Sequence, residues 1–240
     1  ANMVGPNVHE EWNNTAWSES TDLNTTRNSN AGSGTQTAGI TFGGLVAPST
    51  RKDETETWDG TAWTEQGDLS TGRSRPGSST AAPNISSLCM SGYAGTAATV
   101  HTEEWDWSST LAAGAWASGG NLNNTRSAFQ GCGTVTAGLV AAGNAAPPDP
   151  RAGETEEYDG SSWTESGDTN TQAENRGVCG IQTAALAVAG HSTDYSVVVE
   201  QYDGSSWTEI ADLNTARSSI GAAGTVTAAV SAGGQGPPSN

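Results

Sequence analysis

Polar and apolar positions along this chain follow short alternating runs broken by turn residues, and no window carries a sustained 3.6-residue period. Five segments repeat one pattern: EEWNNTAWSE from Glu10, ETWDGTAWTE from Glu56, EEWDW…AWAS from Glu103, EEYDGSSWTE from Glu156 and EQYDGSSWTE from Glu200. The first aromatic falls at Trp12, Trp58, Trp105, Tyr158 and Tyr202, so the spacings are 46, 47, 53 and 44 residues. The second aromatic is Trp17, Trp63, Trp116, Trp163 and Trp207. A polar turn and an arginine follow each time, at Arg27, Arg73, Arg126, Arg176 and Arg217. Next comes a run of small residues, a Thr-containing turn, and an apolar stretch closing on Gly, as in GTVTAGLVAAG from Gly133. Each unit therefore predicts four short strands. Strand a is the small-residue run, b the apolar stretch, c the E-W/Y segment and d the W-T-E segment. Asp-Gly at Asp59, Asp159 and Asp203 predicts a two-residue hairpin with positive φ at both central positions between c and d.

Four strands per unit at this period indicate an all-β fold, a β-propeller of four-stranded antiparallel blades. The chain opens on strands c and d (Val8 to Ser20) and ends on a and b (Ser218 to Gly234). Left apart, these halves would expose sheet edges. Their pairing predicts a five-bladed ring whose last blade is closed by both termini. The whole chain, 1–240, reads as one domain with repeats at approximately 8–53, 54–98, 99–152, 153–197 and 198–240.

The doublets Gly43–Gly44 and Gly233–Gly234, the following Tyr or Trp, the second Trp and the Arg before the next strand resemble the kelch repeat. The doublet varies to Ser91–Gly92, Ala142–Gly143 and Ala189–Gly190. The wording YDGSSWTE…DLNTAR, rich in Thr, Ser and Ala, is also similar to repeats of marine bacteriophage and environmental viral proteins. That likeness implies a virion-surface protein, extracellular on the particle, such as a capsid decoration, fibre or tail-associated module. Its partners would be other virion proteins or host-surface glycans. The alternative is a cellular or secreted kelch-type lectin or scaffold.

Composition narrows the function classes. With one Lys, eight Arg and a net charge of −17, no basic surface exists to neutralise phosphates, so nucleic acid is not an expected partner. The longest apolar run, AALAVAG from Ala184, is far too short to insert in a membrane. No signal peptide is visible in the given chain. Inner strands rich in Gly, Ala and Ser suit crowding at a propeller axis. Eight of the nine Trp occupy repeat positions and are expected to fill the space between blades, each burial contributing about 1.5–3 kcal/mol. The five repeat Arg are expected to bond a carbonyl or a Glu of a neighbouring blade with their planar fork of donors.

No catalytic constellation is legible. His9, His101 and His191 have no metal-ligand spacing, and no GxSxG elbow or phosphate loop occurs. We therefore expect no enzyme activity, no cofactor and no metal. Cys89, Cys132 and Cys179 are odd in number and read as small buried residues.

Recognition is expected on the face shared by the b–c and d–a connections, because the b–c segments vary while the repeat does not. That face carries Tyr93, His191, Tyr195, Arg51, Lys52 and Arg151, with Arg75 set apart from it. Trp107, the one Trp outside the repeat, sits in a six-residue excess between Trp105 and Trp116. It is expected to be partly exposed, as an aromatic anchor for a partner, or else to fold over Leu111.

Overall fold

The computed structural model describes residues 7–46, 49–79, 84–108, 113–145 and 151–237. Every regular element among them is a strand. Blade I comprises Ala31–Thr35, Ala38–Phe42, Thr55–Trp58 and Trp63–Glu65 as strands a to d. Blade II has Gly77–Ser78, Ser86–Met90, Thr102–Ser108 and Ala113–Ser118. In blade III strand a is split into Arg126–Ser127 and Gly131–Thr134, followed by Ala137–Ala145, Arg151–Tyr158 and Trp163–Ser166. Blade IV comprises Gly177–Ile181, Ala184–Val188, Val199–Tyr202 and Trp207–Glu209. All four are antiparallel in the order a-b-c-d. A blade thus starts at strand a, in the middle of a sequence repeat.

The fold is a β-propeller arrangement with four complete blades, not the five predicted. The end segments form two separate two-stranded sheets, Glu10–Trp12 with Trp17–Glu19 and Gly221–Thr225 with Ala228–Ala232. In a complete blade the chain runs directly from b to c, and a buried Arg–Glu pair ties the start of a to c. Nothing covalent joins Ala232 to Glu10, and Glu10 is exposed. Arg217 instead donates to the Gly233 and Thr215 carbonyls, at 3.3 and 3.4 Å. The consequence is visible in the aromatics. Trp17, expected in an inter-blade slot, is 64% exposed, and Val230 on the opposite end hairpin is 69% exposed.

The core is divided between successive sheets, not gathered at one centre. Ile40, Phe42 and Leu69 of blade I meet Cys89 and Trp105 of blade II. Leu88 and Met90 of blade II meet Phe129, Val140, Tyr158 and Trp163 of blade III. Cys132 and Leu139 of blade III meet Val178, Ala187, Tyr202 and Trp207 of blade IV, and Val188 and Val199 meet Ile220 and Ala222 of the C-terminal hairpin. The strand-d indoles bond across the same joints. Trp116, Trp163 and Trp207 donate Nε1–H to Thr55, Thr102 and Thr155 of the preceding blade at 2.9, 3.0 and 2.9 Å. Trp63 makes no such bond; its ring packs edge to face on His9, which holds the place of that Thr in the N-terminal segment, with centroids 5.4 Å apart.

The Gly doublets and their variants share one conformation. Gly43–Gly44 has φ of 65° and 111°, Ser91–Gly92 53° and 97°, Ala142–Gly143 59° and 113°, and Ala189–Gly190 55° and 109°. The first position tolerates a small side chain in the left-handed region; the second remains Gly. The c–d hairpins differ from expectation. Trp58 pairs with Trp63 across a four-residue loop in which only Gly60 has positive φ, 95°, and the same holds at Gly160 and Gly204. The Asp side chain closes the loop: Asp159 Oδ1 accepts the N–H of Ser161 and of Ser162, both at 2.8 Å. That Asx geometry outcompetes the two-residue turn.

Candidate ligand site at the propeller axis

The repeat arginines are structural anchors. Arg27, Arg73, Arg126 and Arg176 pair with Glu56, Glu103, Glu156 and Glu200, with almost no side-chain exposure on either partner. The other carboxylate oxygen accepts from the d–a turn: Asn123 N–H and Nδ2 reach Glu156 Oε2 at 2.7 and 3.0 Å, and Asn170 does the same to Glu200. Arg176 is not the positional counterpart of the others. Ala173 holds that place, its carbonyl accepting Gly143 N–H as Arg73 accepts Gly44 N–H. Arg176 enters three residues later and still reaches Glu200, at 2.8 Å. Arg217 has no carboxylate partner among the described residues.

Just before strand a, each repeat turns through a left-handed residue. Ser29, Arg75, Ala128, Asn175 and Ser219 have φ of 55°, 52°, 54°, 56° and 55°. Main-chain bonds link them between segments: Arg75 N–H to Ser29 O at 2.8 Å, Asn175 to Ala128 at 2.7 Å and Ser219 to Asn175 at 2.9 Å. They form a collar around a cavity of about 440 Å³ to which all five repeats contribute. Its lining contains no Asp or Glu, although the chain has 26 of them. Two cations line it. Arg176 is committed to Glu200, whereas the exposed Arg75 makes no salt bridge or side-chain hydrogen bond among the described residues. Gln130 Oε1 accepts Val178 N–H at 3.1 Å, which leaves its amide N–H groups available. The Asn175 side chain is likewise without a partner. Phe129, Pro76 and Ile220 add apolar wall.

None of the expected recognition residues lines this cavity, although Tyr93 and His191 adjoin its collar. Tyr93 pairs by main chain with Ser74, next to Arg75, and His191 with Glu174, next to Asn175. Two of the b–c connections contain short strand pairs: Leu45–Val46 with Thr50–Arg51, and Tyr93–Ala94 with Ala97–Ala98. His191 and Tyr195 stack edge to face with centroids 5.5 Å apart, while Tyr93 belongs to a ribbon of blade II. Arg51, Lys52 and Arg151 are half-buried, and Lys52 is bound to Glu54. Arg75 belongs to the same face as these residues, contrary to its expected separation. Positive φ at a residue following Arg73-Ser74 has no marker in sequence, and the convergence of five collar residues requires the ring.

Trp107 extends strand c of blade II, opposite Gly114. It is half-buried against the Trp105 core, with ring centroids 6.4 Å apart. The six-residue excess lengthens both strands of that hairpin; Leu111 lies outside the described residues. All three cysteines are buried and free, and burial pushes the thiols of Cys89 and Cys132 up to about 12. Among the described residues no group of three His, Cys, Asp or Glu could hold a metal, and no helix is long and apolar enough to cross a membrane. No protein-family model matches the chain, and a comparison with curated proteins finds no match.

Proposed function

We propose that this chain is a non-enzymatic, kelch-like binding propeller carried on a virus particle as a decoration, fibre or tail-associated module. It engages a host-surface glycan or a neighbouring virion protein through the face that holds the b–c ribbons and the axial collar. The observation that carries the binding reading is the carboxylate-free cavity with its unpartnered Arg75, set in a chain of net charge −17. The virion assignment is supported by the wording of the repeats alone. In this reading Tyr93, His191 and Tyr195 contact the larger partner around the cavity rim, and Trp107 offers a second contact on the opposite side.

Three experiments test the proposal. A glycan array probed with the whole chain, run beside a hydrolysis assay on the same sugars, is expected to give binding without turnover. Replacing Tyr93, His191 and Tyr195 together with alanine is expected to weaken that binding while leaving the melting temperature within a few degrees; unchanged binding removes the rim from the site. Mass spectrometry of purified virions that never finds this chain sinks the virion assignment.

A further inference from the structure

We infer that the axial cavity takes the carboxylate of an acidic sugar, with Arg75 as its counter-ion. The inference rests on the binding reading above and names the ligand class. Each arginine of the buried anchors is consumed by a carboxylate, whereas Arg75 lines the cavity and has no salt bridge or side-chain hydrogen bond among the described residues. A guanidinium presents two parallel N–H groups that match a planar carboxylate, and an unpaired one lining a concave site favours an anion. A single positive charge surrounded by neutral amides fits a monoanion better than a phosphate dianion. The amides of Gln130 and Asn175 and the Ser219 hydroxyl supply the donors and acceptors that ring hydroxyls require. Phe129 and Pro76 provide a surface for the C–H face of a pyranose. The volume, about 440 Å³, accommodates a single sugar residue.

The collar also dictates a clean variant. Arg75 has φ of 52°, and the same collar position in blade IV is Asn175 with φ of 56°. Asn is among the residues that tolerate this region, so Arg75→Asn removes the cation without straining the backbone. The whole chain is titrated by calorimetry with glucuronate, N-acetylneuraminate, glucose, acetate and inorganic phosphate. The expected result is binding of at least one acidic sugar that glucose does not reproduce, weakened about tenfold or more in Arg75→Asn and less in Arg75→Lys, which keeps charge but loses the fork. Acetate should bind more weakly than the sugar acid, since it lacks the hydroxyls. Phosphate binding as tight as the best sugar acid overturns the inference, as does sugar-acid binding unaffected by Arg75→Asn. If the array finds a neutral glycan bound at this face and Arg75→Asn binds it normally, the acidic-sugar inference falls and the binding reading stands. If neither the array nor the calorimetry finds any ligand, both fall.

Discussion

The guanidinium of Arg126 lies 2.6 Å from the carboxylate of Glu156, and neither side chain has any exposed surface. Both members have further partners: Arg126 also donates to the carbonyls of Glu154 and Ala142, and Glu156 accepts from Asn123, while Arg126 Nε–H is left without an acceptor. It connects three parts of blade III, the start of strand a, the bulge within strand b and strand c. Each complete blade contains this lock once.

Removing one member should be costly. Arg126→Leu strands a buried carboxylate, and a loss of about 3–5 kcal/mol is expected in urea unfolding. Arg217→Leu deletes bonds to two carbonyls only, at a half-buried site, and should cost roughly 1 kcal/mol or less. Equal losses for the two variants would show that Arg217 is locked to a carboxylate as the others are.

The same contrast applies to the indoles. Trp163 is 5% exposed and bonds Thr102 across a blade joint, so Trp163→Ala should cost about 3–5 kcal/mol. Trp17 is 64% exposed on the N-terminal hairpin, and Trp17→Ala should change stability by about 1 kcal/mol at most. Paired denaturant melts of the two variants check this directly.

Acid should weaken the c–d hairpins. Backbone and hydroxyl donors of Ser162 and Ser161 hold the Asp159 carboxyl at about 2, below its ordinary 3.8, and the corresponding donors lower Asp59 and Asp203. A carboxyl depressed in the folded state contributes stability above its unfolded pKa, and that contribution is lost as pH falls through the folded value. Stability from these turns is therefore full above about pH 4 and fades towards pH 2. Asp159→Ala should flatten part of this acid limb, measured as melting temperature against pH.

The thiols should be silent in the native protein. Cys89 and Cys132 are fully buried and burial raises both to about 12, so little thiolate is available near neutrality. A thiol-reactive chromophore should label no cysteine until denaturant is added, and then label three. Fast labelling of Cys132 or Cys179 in buffer would show that the joint between blades III and IV opens.

Strand positions, the small-residue inner strands and the inter-blade place of most Trp were legible because each depends on contacts within about one repeat. Alternation decides which residues face a neighbouring sheet, and the b–c and c–d hairpins are local. The Arg–Glu anchor was legible in kind but not in place: a partner on a neighbouring blade is expected, whereas each Arg reaches the strand-c Glu of the blade it introduces. Repetition even concealed one exception, because Arg176 reaches Glu200 from three residues further along and only side-chain length allows it.

The chain's own letters determined a propeller of four-stranded units with recurring buried arginines. Tertiary structure alone decided the fate of the end hairpins and the make-up of the axial cavity. The repeat counts five copies of the motif, but the fifth is split between ends with no covalent b–c link, and among the described residues Arg217 bonds carbonyls and no carboxylate. The cavity draws its lining from segments tens of residues apart in sequence, and the left-handed collar turns them inward together. A lone Arg beside Pro76 has no special meaning along the chain; it gains one where the ring's acidic residues lie elsewhere and its charge is left unmatched.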